Sequence, residues 1–138
     1  MAEKYQSMLK ETAGLDFPKD SEFNLDTKVT VYVPSTLFDK PISQADFHAR
    51  INNTQGYLTD LFGGTTKLAG IGTYRTKDGK LIGENVAKIE TFIKYGDYLK
   101  KDSTLKNWLE KKKKEWQQES LGFEFESPKH PQSRMFFI

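Results

Sequence analysis

The chain has 138 residues, no cysteine, two histidines, and 21 basic against 19 acidic side chains for a net charge of +2. That is one domain's worth of sequence, and the missing thiols remove disulfide scaffolds, cysteine-based zinc sites, iron–sulfur clusters and thiol nucleophiles together. The near-balanced charge argues against a dedicated nucleic-acid binder. No stretch approaches a membrane span and Met1 to Lys10 has no apolar core of a signal peptide, so a cytoplasmic protein without a membrane partner is expected.

Residues 1–27 read as a lead-in, with a short helix over 3–12 suggested by the spacing of Tyr5, Met8, Leu9 and Thr12. Residues 28–138 read as a single α+β domain. Its first strand covers 28–33, with Val29, Val31 and Val33 on one face, and Pro34 stops it. A helix starts after Ser43, whose hydroxyl can cap it while Asp46 favours the positive end of the dipole. Phe47, Ile51, Leu58, Leu61 and Phe62 form its buried stripe, and Gly63-Gly64 ends it.

Two strands follow over 68–76 and 80–93, joined by an Asp78-Gly79 turn. Both faces of the second arm are mixed, so a bulge or bend is expected there. A second helix is expected to start near Ser103 and to bury Leu105, Trp108, Leu109 and Trp116. Leu121, Phe123 and Phe125 alternate as a strand, residues 127–134 read as a loop, and residues 135–138 as a short last strand. The order β-α-β-β-α-β plus one terminal strand predicts a ferredoxin-like fold, with two helices on one face of an antiparallel sheet.

Chemistry is sparse in this sequence. Gly63, Gly64, Thr65 and Thr66 can offer amides and hydroxyls to an anion, although no Gly-Lys-Ser/Thr follows and a helix C-cap with a turn into the sheet is the stronger reading of the glycines. Gly70 and Gly72 leave a bare strip on one strand face. Tyr74, Arg75 and Glu84 project from the same hairpin and could bind a phosphate or carboxylate, with Glu84 or Glu90 as the candidate acid–base. His48 and His130 have no partners at metal-ligand spacing, so neither a metal nor a cofactor is expected. Lys111 to Lys114, flanked by Glu110 and Glu115, read as a solvated helix face.

Asp46-Phe47, Phe62-Gly63-Gly64-Thr65-Thr66, Gly70 to Tyr74, Gly79 with Glu84 following, and Gln118-Glu119-Ser120 together resemble a family of small bacterial and phage-borne α+β proteins of unknown function. The resemblance covers residues 28–138 and implies a surface made of Gly64, Thr66, Tyr74, Glu84 and Gln118. Where those proteins carry Gly-Gln-Trp, this chain has Gly72-Thr73-Tyr74.

The lack of a triad or metal set, beside 10 Phe, 6 Tyr and 2 Trp, points to a non-catalytic binding protein. The expected form is a homodimer and a phage or mobile-element counter-defence factor that sequesters a nucleotide-like ligand or a host protein. The alternative is a small enzyme acting on a phosphate- or carboxylate-bearing molecule, with Arg75 as anion clamp and Glu84 as acid–base.

Overall fold

A computed structural model describes residues 25–138; the helix expected over 3–12 lies outside them. The elements run β1 (Thr27–Pro34), a two-by-two hairpin of β2 (Thr36–Leu37) and β3 (Lys40–Pro41), α1 (Gln44–Phe62), β4 (Thr66–Arg75), β5 (Leu81–Ile93), α2 (Tyr95–Glu115), β6 (Gly122–Ser127) and β7 (His130–Phe137). The five long strands form one antiparallel sheet in the order β4-β5-β1-β6-β7. Each helix thus carries the chain over one intervening strand, which is the ferredoxin-like arrangement with β7 added at the edge.

Alternation along β1 decides which sheet face is covered. Val29, Val31 and Val33 are fully buried and stand opposite Thr91, Ile89 and Ala87 of β5. With Ile93, Leu121 and Phe123 they form the strand side of the core, against Ile51, Leu58 and Phe62 of α1 and Tyr98, Leu105 and Leu109 of α2. Removing each such side chain from water contributes roughly 1.5–3 kcal/mol. Tyr57 and Trp108 stack at 4.4 Å and 6°, fastening the two helices to each other. Neither helix is long and apolar enough to cross a membrane.

Helix α1 begins as its sequence dictates, with the Ser43 hydroxyl accepting from the Asp46 amide. It ends at Gly63, whose φ of 111° only glycine adopts without strain. Helix α2 departs from expectation by starting at Tyr95 rather than near Ser103. Its N-cap, Lys94, has no capping side chain, and the Tyr95 amide donates instead to Asp26 Oδ1. That cap comes from the far side of the sequence, so no local pattern announces it.

Three further differences bear on the site. The hairpin of β2 and β3 occupies the stretch between the first strand and the helix, where no element is expected from the sequence. Strand β7 begins at His130, because Pro128 and Lys129 form a tight turn and not part of a longer loop. The β4–β5 ladder runs without interruption from Arg75↔Leu81 to Thr66↔Glu90, so the bulge expected in the second arm is absent. Its faces are mixed for another reason. Strand β1 ends opposite Val86, so residues 81–85 pair only with 71–75 and continue beyond the core as a two-stranded arm.

Candidate active site

The arm brings three candidate residues together. Tyr74 pairs with Ile82 and Glu84 with Gly72, which puts Tyr74 and Glu84 on one face as diagonal neighbours. They meet Gln118, just past the end of α2, across a cleft of about 780 Å³ also lined by Thr36, Phe38, Asp39, Lys113, Lys114, Glu119, Ser120 and Phe137. Glu84 is half-buried and has no hydrogen-bond or ion-pair partner among the described residues. The bare strip explains part of its setting: a Cβ on Gly72 would lie 3.4 Å from Val86 Cγ2 and 4.0 Å from Glu84 Cγ.

One wall of the cleft is fixed from below by Arg50, a residue that the sequence pattern did not single out. It sits on the buried side of α1, and its Nη1 donates to the carbonyls of Pro34 at 2.9 Å and Thr36 at 2.8 Å. Its guanidinium lies 5.3 Å from the centroid of the Trp116 ring. Burial lowers its pKa, partly opposed by Asp46 and Glu115, yet a guanidinium stays charged. Gln118 Nε2 donates to the same Thr36 carbonyl at 2.8 Å and to Trp116 O at 3.0 Å. Its amide nitrogen is thereby spent on the wall, and its carbonyl oxygen has no partner among the described residues.

Two positive-φ residues face this cleft. Helix α2 ends in a Schellman motif, with Gln118 N donating to Lys113 O and Gln117 N to Lys114 O. The left-handed position of that motif is held by Gln117 at φ 51°, where glycine is usual. Phe38, at the tip of the β2–β3 hairpin, has φ 54°, and its amide donates to Gln117 O at 3.2 Å. Side chains in this region cost roughly 1–2 kcal/mol each.

The remaining candidates stand elsewhere. Gly63, Gly64, Thr65 and Thr66 line a separate cleft of about 740 Å³ with Lys94, Lys100 and Lys101. Thr66 pairs with Glu90, six residues along β5 from Glu84, or about 20 Å at strand rise. The Thr65 hydroxyl bonds that of Thr59 at 3.0 Å, and Gly64 O accepts from Thr91 at 2.6 Å, so this turn spends much of its polar capacity inside the fold. Arg75 pairs with Leu81, on the face opposite Tyr74 and Glu84, and its Nη1 donates to Gly79 O at 3.0 Å.

The sheet face opposite α1 and α2 carries a polar cluster that sequence alone does not reveal, because its members come from four strands. Tyr32 hydrogen-bonds the Glu124 carboxylate, Lys88 lies 3.5 Å from it, and Ser133 donates to it at 3.3 Å. The Tyr32 hydrogen bond, helped by Lys88 and Ser133, holds Glu124 below the usual carboxylate range against the opposing effect of burial. Burial, then the hydrogen bond to Glu124, raises Tyr32. Lys88 is raised because attraction to Glu124 and Tyr32 outweighs its desolvation.

No protein-family model matches the sequence, and no curated protein matches it. Two solved structures share the fold. A phage SAM lyase in complex with S-methyl-5'-thioadenosine superposes with a TM-score of 0.59 at 16% identity, covering 88% of this chain and 95% of that one. The apo state of a phage SAM lyase gives 0.58 at 16%, covering 86% and 93%. The resemblance to phage-borne α+β proteins is thus met at the level of fold by a phage protein. The expectation of a non-catalytic binding protein is corrected by the same finding. That expectation rested on the lack of a triad or metal set, and a lyase with this fold shows that the fold can carry an enzyme.

Proposed function

We propose that this chain is a lyase acting on a sulfonium nucleoside of the S-adenosylmethionine type, with the cleft of Tyr74, Glu84 and Gln118 as its active site. The observation that carries the reading is the meeting of these three residues in one cleft with Phe38, Phe137 and Lys114, on a fold shared nearly end to end with a phage SAM lyase. Such a substrate has an adenine ring, a sulfonium, an ammonium and a carboxylate. Aromatic faces attract a cation and stack a base, Glu84 answers the ammonium, and Lys114 answers the carboxylate. Lys113 is engaged with Glu110 at 3.3 Å, and Arg75 stands on the other face of the arm.

The bond to be broken joins sulfur to the Cγ of the amino-acid arm, and its electron pair goes to sulfur, which leaves as a neutral thioether. A lyase adds no water, so the carbon must be satisfied within the substrate. If the substrate's own carboxylate oxygen closes on Cγ, a lactone forms and no proton moves; Glu84 then holds the ammonium. If a Cβ proton passes to Glu84, a carbon–carbon double bond forms instead.

Incubation with S-adenosylmethionine is expected to release S-methyl-5'-thioadenosine, followed by chromatography, with the companion product identified by the presence or absence of vinyl protons in its NMR spectrum. Glu84→Gln should keep the melting temperature within a few degrees and lose about 100-fold or more in turnover. Wild-type protein that releases no thioether product sinks the reading. Glu84→Gln turning over at the wild-type rate removes Glu84 from it.

We also infer that the homodimer expected from the sequence forms through β4. All of this edge strand except Gly72 is exposed, with Leu68 at 42%, Ile71 at 76% and Tyr74 at 41%. No strand of the described residues pairs with this edge, a free edge is a template for a second strand, and light scattering of an Ile71→Lys variant tests the dimer.

A further inference from the structure

Phe38 combines an unfavourable backbone with a ring that the fold does not use. At φ 54° it occupies a conformation that bulky side chains avoid and that Gly, Asn or Asp would hold more easily. The residue is 71% exposed, so burial within the chain returns little. It takes part in none of the aromatic pairs among the described residues. The hairpin tip is held through the backbone, by the Phe38 amide on Gln117 O, so the turn does not depend on the ring either. Phe38 lines the cleft that also holds Tyr74, Glu84 and Gln118.

We propose that Phe38 is the platform on which the adenine of the nucleoside ligand stacks, an inference that rests on the function proposed above. The chemistry of the cleft favours the base over the charged end of the ligand. Asp39, Glu84, Glu119 and Lys114 already supply carriers of both signs for the ammonium, sulfonium and carboxylate. A phenyl ring without a polar handle offers a flat π-surface, which suits a purine of any charge state. A strained, exposed aromatic side chain beside a cleft is the kind of outlier from which a functional role is argued.

The test uses the full chain and three probes: S-methyl-5'-thioadenosine, adenosine and S-adenosylmethionine. The first two lack the amino-acid arm and the sulfonium charge. By calorimetric titration, Phe38→Ala is expected to weaken both about tenfold or more, as loss of one base stack does, while Phe38→Trp stays within about threefold of wild type. Phe38→Asn suits the left-handed backbone, so it should raise the melting temperature while losing the same affinity as Phe38→Ala. That pairing separates stacking from damage to the turn.

Unchanged binding of adenosine and the thioether by Phe38→Ala overturns the proposal. So does a loss confined to S-adenosylmethionine, which would place the ring against the sulfonium. Wild-type protein that turns over S-adenosylmethionine while Phe38→Ala binds adenosine normally removes this inference alone. Wild-type protein that binds none of the three probes and releases no thioether removes the proposed function and this inference with it.

Discussion

Glu124 shows how one carboxylate can organise the sheet face opposite α1 and α2. Three strands place Tyr32, Lys88 and Ser133 around it, and its pKa is held down chiefly by the Tyr32 hydrogen bond. The sign of the stability effect follows. A carboxylate whose folded pKa lies below its unfolded value binds a proton less readily in the folded state, so it adds stability above the unfolded value of about 4.3. That contribution fades as pH falls through the folded value. Glu124→Gln keeps the shape and still accepts from Tyr32 but has no such dependence. The melting-temperature difference between wild type and variant is therefore expected to be largest above about pH 5.5 and to shrink below about pH 4. A difference that stays constant down to pH 3 would show that the carboxylate's charge contributes nothing there.

At the scale of elements, what could be read from the sequence and what could not divide along one physical line. Strand β1, the Ser43 cap, the Gly63 stop and the Asp78-Gly79 turn are set by neighbours within a few residues, and all four stand where the pattern places them. The start of α2 depends on Asp26, 69 residues away, and its end on a left-handed glutamine. The meeting of Tyr74 and Glu84 with Gln118 is another long-range fact. The first two share a hairpin whose register puts them on one face, but Gln118 joins them only because the chain's return through α2 ends beside the arm. Phe38 and Arg50 gave no local signal, since one matters through its φ and the other through carbonyls it reaches across the fold. The glutamine yields its own prediction. Gln117→Gly relieves the strained position of the Schellman motif and leaves the carbonyl that receives Phe38 N–H. It is expected to stabilise the protein by about 1 kcal/mol, or roughly 3 °C in melting temperature. An unchanged or lowered melting temperature would show that the position is not strained.

For the molecule as a whole, the question is what lies against β4. Its sheet partner β5 occupies one edge, and no element of the described residues pairs with the other. Neither face is buried along its length. The strand carries Lys67 and Arg75 and no acidic residue, which at first sight argues against self-pairing. Antiparallel pairing about a two-fold axis through Gly70 answers this, because it sets Lys67 opposite Thr73 and Arg75 opposite Thr65, so no like charges face each other. It also sets Ile71, the most exposed apolar side chain of the strand, opposite Ala69 of the second copy, with the two copies of Ile71 as diagonal neighbours on one face. Joining the sheets this way gives ten strands, within the range that open twisted sheets reach. Wild-type protein is then expected to elute with a light-scattering mass above the 15.9 kDa of one chain. Ile71→Lys places two ammonium groups beside the axis and should return the mass to that of a monomer with little change in far-ultraviolet circular dichroism, since the side chain is 76% exposed in the single chain. Wild-type protein at the monomer mass across the micromolar range removes the pairing. A variant that keeps the larger mass moves the contact away from β4.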